Sequence, residues 1–139
     1  GFGNERPRRA LSLSVSRSRA RARSGVVHTM AFSENGYYLA SGGADGTVKL
    51  WDLRKLKNFK TIEPQEGAKS PKPIMSVAFD YSGTYLAYAS DKISVDVVKS
   101  WVSATELTGH TKAVTSLKFG PNAKSIVSAS MDRSLKIWS

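Results

Sequence analysis

The 139-residue chain contains no cysteine. This excludes disulfide bonds and thiolate metal ligands, and it is compatible with a reducing compartment. No apolar run approaches the roughly 18 residues that a membrane-spanning helix needs, so we expect no membrane partner. Metal-ligand spacings and phosphate-binding loops are also missing from the sequence, and we therefore expect neither a metal nor another cofactor.

Acidic residues are scarce at the start of the chain. Residues 1–25, named the head, carry seven arginines and one acid, whereas residues 26–139 carry 14 basic and 10 acidic residues. The net charge of +10 therefore belongs largely to the head. Because the head has few large apolar side chains to bury, it cannot offset the entropy of ordering, and we predict that it is disordered.

Three interpretations of the head remain open. The arginines and serines of residues 6–23 are typical of a tract that binds RNA phosphates or is phosphorylated. An acid-poor leader rich in Arg and Ser is also typical of a mitochondrial or plastid transit peptide, although a chain that begins at Gly1 disfavours this. The third interpretation is a solvated tail, or a stretch foreign to the natural protein.

One phrase recurs three times, as MAFSENGYYLASGGADGTVKLWD, VAFDYSGTYLAYASDKISVDV and LKFGPNAKSIVSASMDRSLKIW. The aligned phenylalanines are Phe32, Phe79 and Phe119, so the repeat steps are 47 and 40 residues. Self-similarity at this period indicates a repeat architecture, in which no single unit can bury its apolar face alone.

Short apolar runs alternate with turn residues from Val26 onward, which predicts an all-β fold. The β-branched and aromatic residues follow period two, and Gly or Pro interrupts every candidate helical window. Asp45-Gly46 can supply the positive φ that a tight hairpin needs. The predicted strands are 28–32, 37–41, 48–52, 59–62, 74–79, 85–88, 93–98, 101–107, 114–119, 126–130 and 135–138.

The third unit combines residue types that can catalyse hydrolysis, namely His110, Ser128 and Asp132. Ser128 falls inside a predicted strand, however, and the sequence has neither a Gly-x-Ser-x-Gly elbow nor a helix start for an oxyanion hole. Trp138 offers a structural alternative, because a buried indole N–H needs an acceptor and a serine hydroxyl can supply it while also bonding an imidazole. We therefore predict that these four side chains form a structural network without catalytic residues.

The first unit repeats part of this network. Ser41, Asp45 and Trp51 keep the same relative spacing as their counterparts in the third unit. Ala22-Arg23 stand where the repeat would place a Gly-His pair. We therefore expect a shorter network in this unit.

The second unit has lost most of the network. It keeps Asp91, but Tyr88 replaces the serine, and counting from Asp91 places Val97 where the tryptophan is expected. We predict that apolar packing holds this unit instead, with Trp101 in the core rather than in a binding site.

The order of a Gly-His pair, a serine strand, an aspartate turn and a Trp-Asp pair resembles the WD repeat, the four-stranded blade of β-propellers. The resemblance covers residues 26–139 and implies a partial propeller of about three blades, at residues 26–66, 74–108 and 110–139. The last blade lacks its closing strand. Since closed propellers have roughly 4–8 blades, two sheet faces should be uncovered, and we expect marginal stability or self-association through the open faces.

Longer stretches resemble the C-terminal blades of the pre-mRNA-processing factor 19 family, the U-box ubiquitin ligases of a spliceosome-associated complex. These stretches are residues 32–62, 79–87 and 130–138. The resemblance implies a nuclear protein with roles in pre-mRNA splicing, ubiquitination and DNA repair, whose propeller recruits substrates or complex subunits. It implies no catalysis by this chain, which matches neither a U-box nor a coiled coil. It also implies a C-terminal piece, whose last blade takes its fourth strand from the start of the propeller.

A protein-binding scaffold is therefore the leading hypothesis, with contacts made by loops at the blade edges. The candidate contact residues are Asp52, Arg54, Lys55 and Lys57, for which a solvated cationic loop is the plainer interpretation. Residues 51–54 also resemble the Trp-Asp-x-Arg pattern of adaptors that dock on the cullin-4 ubiquitin ligase through its DNA-damage-binding subunit. A cullin-4 adaptor is thus an alternative function.

RNA binding through the head is a further alternative. If the head binds RNA, the affinity for a single-stranded RNA will fall steeply as salt is raised, because arginine–phosphate contacts release counterions. Deleting residues 1–25 will then abolish binding in a fluorescence-anisotropy titration over a salt series. Equal affinity of residues 26–139 alone would show that the head is irrelevant.

Overall fold

The computed structural model describes residues 26–139. Within this range the chain forms strands and one short 3₁₀ turn, Pro121–Ala123. No helix in the same range is long and apolar enough to cross a membrane. The head, with its predicted disorder and RNA contact, lies outside the described residues.

The strands are β1 (Val27–Phe32), β2 (Tyr38–Gly43), β3 (Val48–Asp52), β4 (Lys57–Ile62), β5 (Ser76–Phe79), β6 (Tyr85–Ala89), β7 (Ile93–Val97), β8 (Ser103–Leu107), β9 (Val114–Phe119), β10 (Ile126–Ser130) and β11 (Leu135–Trp138). They form three antiparallel sheets in which each strand pairs with its neighbour in sequence. Blade 1 is β1–β4, blade 2 is β5–β8, and blade 3 is β9–β11. The expectation of an all-β partial propeller with a three-stranded last blade is confirmed.

The hairpin between β2 and β3 shows how local sequence sets the blade geometry. Gly46 has φ +80°, and a Cβ there would lie 3.0 Å from the carbonyl oxygen of Lys72, so both conformation and space favour glycine. Asp45 Oδ1 accepts hydrogen bonds from the backbone N–H and hydroxyl of Thr47, at 3.0 and 2.8 Å. The turn is therefore closed by its own side chains.

The blades stack through their first strands, since β1 approaches β5 and β5 approaches β9. Each junction buries its own core. The buried side chains between blades 1 and 2 are Ala40, Val48, Leu50, Ile74, Val77, Leu86 and Tyr88. Those between blades 2 and 3 are Ala87, Ala89, Ile93, Val95, Val114, Leu117 and Ile126.

Strand β6 contributes to both cores. Leu86 and Tyr88 pack in the core with blade 1, whereas Ala87 and Ala89 pack in the core with blade 3. This division follows from the alternation of side chains along a strand. Blade 2 is therefore covered on both faces.

The far faces of the stack carry exposed apolar side chains. Met30 and Phe32 are exposed on β1 of blade 1, and Leu135 and Ile137 are exposed on β11 of blade 3. Each of these side chains alternates with neighbours that point into the stack, for instance Ala31, which packs in the core between blades 1 and 2.

Candidate functional site

Four side chains of blade 3 form a continuous hydrogen-bonded chain. The indole Nε1 of Trp138 donates to Ser128 Oγ at 2.9 Å, and Ser128 Oγ lies 2.7 Å from His110 Nε2. His110 Nδ1 lies 2.9 Å from Asp132 Oδ2. Because the serine oxygen accepts from the indole, its own proton is directed to Nε2, and the imidazole Nδ1–H then donates to Asp132.

The strand register brings these side chains together. Trp138 lies opposite Ile126, and Ser128 is two residues further along β10, so it points to the same face of the sheet. Asp132 belongs to the turn between β10 and β11, and His110 comes from the segment before β9. The network therefore joins two strands, their turn and the entry to the blade.

The same bond pattern occurs in a Ser-His-Asp catalytic triad, so solvent access decides what the group can do. Ser128 is fully buried, and the side chain of His110 is 1% exposed. A substrate carbonyl cannot reach a hydroxyl that is sealed in this way, and we interpret the network as structural. Residues 26–139 also hold no cluster of three or more His, Asp or Glu side chains that could bind a metal ion.

Asp132 is the most heavily bonded member of the network. Its carboxylate accepts from the Ser134 hydroxyl at 2.6 Å and from the backbone N–H groups of Ser134 and Thr111 at 2.9 and 3.0 Å, besides His110. These bonds hold the pKa of the Asp132 carboxyl well below its usual range, and the bond from the Ser134 hydroxyl has the largest effect. An ionised Asp132 thus ties the start of blade 3 to its hairpin turn.

Blade 1 contains a shorter version of the network. Trp51 Nε1 donates to Ser41 Oγ at 3.0 Å, and both side chains are buried. Asp45 bonds to Thr47 within its own turn. Residues 22–23, which occupy the position of the Gly-His pair, lie outside the described residues.

The strand register of blade 2 differs from the sequence prediction at the position of the missing tryptophan. The register pairs Leu39 with Trp51 in blade 1, and it pairs Leu86 with Asp96 in blade 2. The counterpart of Trp51 is therefore Asp96, and the assignment of this position to Val97 is wrong. The bonded side chains are ten residues apart in blade 1 and eight apart in blade 2, so the hairpin of blade 2 is two residues shorter.

Blade 2 is also not held by apolar packing alone. The Tyr88 hydroxyl donates to Asp96 Oδ2 at 3.1 Å, and both side chains are buried. Burial raises the pKa of the Asp96 carboxyl and that of the Tyr88 hydroxyl above their ordinary values. A tyrosine–carboxylate bond thus crosses the strands where the other blades use an indole–serine bond. Trp101 packs against the core between blades 1 and 2, beside Phe59.

The candidate contact residues lie in and beside the turn between β3 and β4. Asp52 is buried, and its Oδ1 accepts from the backbone N–H groups of Arg54 at 2.9 Å and Lys55 at 3.3 Å. The guanidinium of Arg54 pairs with Asp52 Oδ2 at 3.2 Å and lies 4.4 Å above the ring of Tyr37. Lys55 and Lys57 are exposed.

These contacts make Arg54 a fixed cation at the edge of blade 1. The hydrogen bond between the two side chains lowers the pKa of Asp52 and raises that of Arg54, so both groups are charged at neutral pH. About half of the Arg54 side chain, 52%, is nevertheless exposed. A guanidinium held by a carboxylate and an aromatic ring has little side-chain entropy left to lose when it binds a partner.

Comparison with known proteins identifies the repeat. The family described as "WD domain, G-beta repeat" matches residues 16–52 and 101–139, more than half of the chain. The chain belongs to the WD40-repeat family. Its WD40 fold resembles the crystal structure of the RRP9 WD40 repeats, with a TM-score of 0.75 and 22% identity over 85% of this chain and 36% of that one.

Several curated relatives of this WD40 chain are named pre-mRNA-processing factor 19. The protein of Oryza sativa subsp. japonica is 48% identical over 82% of this chain, and that of Caenorhabditis elegans is 49% identical over 82%. The Homo sapiens protein is 47% identical over 84%. The chain spans 22%, 31% and 22% of the lengths of these relatives, respectively. The predicted resemblance to this group is confirmed.

Removing the serine of the network is expected to cost more in blade 3 than in blade 1. Ser128→Ala leaves the Nε2 atom of His110 and the Nε1 atom of Trp138 without a hydrogen-bond partner, whereas Ser41→Ala removes the partner of Trp51 Nε1 alone. Each buried group left unsatisfied costs about 1–3 kcal/mol, so the loss at Ser128 should be about twice as large. Urea denaturation measures both losses, with Ser103→Ala on exposed β8 as the control. Equal losses would contradict the bond to His110.

The lowered pKa of Asp132 predicts a loss of stability in acid. The carboxyl titrates at about 3.9 in the unfolded chain and lower in the folded one. Its contribution is therefore complete above about pH 4 and is lost as the pH falls through the folded pKa. The urea midpoint of the unaltered chain should therefore fall as the pH is lowered below about 4, and Asp132→Asn should reduce this fall.

Asp96→Asn is a matched variant, and its effect on the pH dependence of stability should be opposite to that of Asp132→Asn. Because burial raises the pKa of Asp96, its contribution to stability falls as the pH rises from the unfolded value to the folded one. The urea midpoint of the unaltered chain should therefore decline as the pH rises through this range. Asp96→Asn should abolish this decline. The same response of both variants would show that the two carboxyls do not differ as described.

Proposed function

We propose that the chain is a protein-recruiting scaffold that serves in pre-mRNA splicing. The observation that carries this proposal is the 42–49% identity, over more than four fifths of the chain, to relatives named pre-mRNA-processing factor 19. The buried state of Ser128 and His110 supports a binding role, because the side chains with catalytic chemistry are sealed from substrate. Recognition then rests on the surface of the blades.

The loop after β3 is the recruiting surface that we favour. Arg54 is charged, half-exposed and already ordered against Asp52 and Tyr37, and the exposed Lys55 and Lys57 extend the positive surface. An acidic segment of a partner protein fits this surface, because a carboxylate can take the open N–H groups of the guanidinium. Little entropy is lost at Arg54 on binding, which favours affinity.

The finer parts of the proposal concern the longer proteins that the chain resembles. In such a protein we place this propeller in the nucleus, within a spliceosome-associated complex. Ubiquitination and DNA repair are proposed on the resemblance alone, with transfer of ubiquitin carried out by a U-box outside residues 1–139. The role of the propeller is to hold substrates and complex subunits.

A cullin-4 ubiquitin ligase adaptor is the second candidate function. It is favoured because about half of the Arg54 side chain is exposed, and because Arg54 follows Trp51 and Asp52 at the edge of blade 1. In this case the partner is the DNA-damage-binding subunit of that ligase. The two candidates share the surface and differ in the partner.

Arg54→Ala tests the surface and the partner together. The immobilised chain should retain subunits of the spliceosome-associated complex from nuclear extract, and Arg54→Ala should weaken this retention at least about fivefold, as expected for a central arginine contact. Arg133→Ala, at an exposed arginine of blade 3, is the matched control and should retain the subunits. Bound proteins are identified by mass spectrometry.

Two outcomes would change the assignment. If the unaltered chain captures no splicing subunit, the proposed function is wrong. If the purified DNA-damage-binding subunit binds instead, and Arg54→Ala loses it, the cullin-4 adaptor replaces the splicing scaffold. Equal retention by Arg54→Ala and Arg133→Ala would move the recruiting surface away from this loop.

A further inference from the structure

A pocket lined by aromatic rings lies between blades 1 and 2. Its volume is about 280 Å³, and Leu50, Val98 and Lys99 also line it. The aromatic residues are Tyr38 and Phe59 of blade 1 with Phe79 and Trp101 of blade 2. Since a cavity of about 150 Å³ already holds benzene, this pocket can take one large apolar side chain.

The aromatic walls are ordered by their contacts with one another. The ring centroid of Phe59 lies 5.6 Å from that of Tyr38 and 6.4 Å from that of Trp101. Trp101 packs against the core between blades 1 and 2, yet Phe59 remains 44% exposed. An apolar ligand therefore covers ring surface that water otherwise contacts, and the walls are in place before it binds.

The turn that supplies Lys99 and Trp101 has an uncommon backbone. Lys99 has φ +83° and Trp101 has φ +56°. Residues other than glycine rarely adopt a positive φ, and such conformations cluster at functional sites. Two backbone hydrogen bonds hold this turn, from the N–H of Val98 to the carbonyl of Thr84 and from the N–H of Trp101 to the carbonyl of Val97, both at 2.8 Å. The wall of the pocket on the blade 2 side is therefore fixed.

The charged side chains at the pocket are cationic. Lys99 is exposed, and the guanidinium of Arg54 lies 3.4 Å from the Tyr38 hydroxyl. The carboxylate of Asp52 already pairs with Arg54. Glu34 lines a neighbouring cavity of about 470 Å³, which also includes Tyr38 and Lys99, but it does not line the pocket. The charge at the pocket therefore favours an anionic group beside the apolar one.

We propose that this pocket binds one large apolar side chain, a phenylalanine or a leucine, of a partner protein, and that an acidic residue next to it pairs with Arg54 or Lys99. The inference rests on the recruiting surface proposed above and names the kind of segment that this surface takes. The apolar side chain buries the ring surfaces, and the carboxylate takes N–H groups that the guanidinium leaves open. The larger neighbouring cavity gives room for the backbone of the segment.

Two other kinds of ligand fit the pocket less well. Aromatic pockets can bind cations such as a methylated lysine, but Lys99 and Arg54 repel a cation here. Single-stranded RNA stacks its bases on accessible flat ring faces. The rings of Tyr38 and Phe59 are tilted by 57°, and those of Phe59 and Trp101 by 50°, and all three line a concavity.

Fluorescence anisotropy of short labelled peptides with the complete chain tests the ligand. The probe carries one phenylalanine between glutamates. Replacing its phenylalanine by alanine should weaken binding about tenfold or more, because the burial of one large side chain is lost. Replacing its glutamates by glutamines should weaken binding about threefold.

Three results of this titration would overturn the proposal. The first is the absence of saturable binding up to about 1 mM probe. The second is equal affinity for the alanine peptide. The third is tighter binding of a peptide with lysines in place of the glutamates, or of a labelled oligouridine, since a cation or an RNA would then be the better ligand.

Variants of the chain test the pocket itself. Phe59→Ala removes one aromatic wall and Lys99→Glu reverses the charge beside it, so each should weaken binding of the probe at least about fivefold. The matched controls are Phe32→Ala on β1 and Lys118→Glu on β9, both at exposed positions, and they should leave the affinity unchanged. Circular dichroism checks that each variant keeps its strands. Because Lys99 is exposed, Lys99→Glu tests the pocket even where Phe59→Ala fails to fold. Equal affinity of Lys99→Glu and Lys118→Glu would show that the peptide binds elsewhere.

The pocket and the splicing role can fail separately. If Phe59→Ala and Lys99→Glu retain splicing subunits from nuclear extract as well as the unaltered chain does, the splicing scaffold stands and the pocket proposal is wrong. If the chain binds the probe through the pocket but captures no splicing subunit, the pocket stands and the proposed function is wrong.

Discussion

A sheet with apolar side chains on both faces is stable only when another sheet covers each face, and this constraint organises the whole chain. Blade 2 meets it fully, because β6 sends Leu86 and Tyr88 to one neighbour and Ala87 and Ala89 to the other. Within residues 26–139, blades 1 and 3 are each covered by another blade on one face only. Stability, the course of the backbone and the exposed surface all follow from which faces are covered.

Polar side chains then fix each blade internally, and they do so with different chemistry at the same strand positions. Blade 3 uses an indole, a hydroxyl, an imidazole and a carboxylate in series, and blade 1 uses the indole and hydroxyl. Blade 2 uses Tyr88 and Asp96. In each case a buried donor finds an acceptor on the neighbouring strand, as burial requires. The bond pattern of a hydrolase triad therefore arises here because each buried polar group needs a hydrogen-bond partner.

Most of the architecture could be predicted from the sequence, because period-two patterning and Asp-Gly turns are local signals. The three strands of blade 3 and the hairpin at Gly46 are examples. The role of Asp96 could not be predicted, since it depends on strand register, and a hairpin shorter by two residues shifts every position counted from the turn. The stacking of Arg54 on Tyr37 also joins residues from two different turns, which no local pattern reveals.

The shortened hairpin of blade 2 has a consequence for how such chains are recognised. The family signature matches residues 16–52 and 101–139 and leaves out the stretch between them, although β5, β6 and β7, three of the four strands of the blade 2 sheet, lie in that stretch. Where a tyrosine and an aspartate form the stabilising hydrogen bond, the tryptophan is not needed. The sequence pattern of the family is then lost, although the strands still pair. The family signature finds two repeat units in this chain, whereas strand pairing within residues 26–139 shows three.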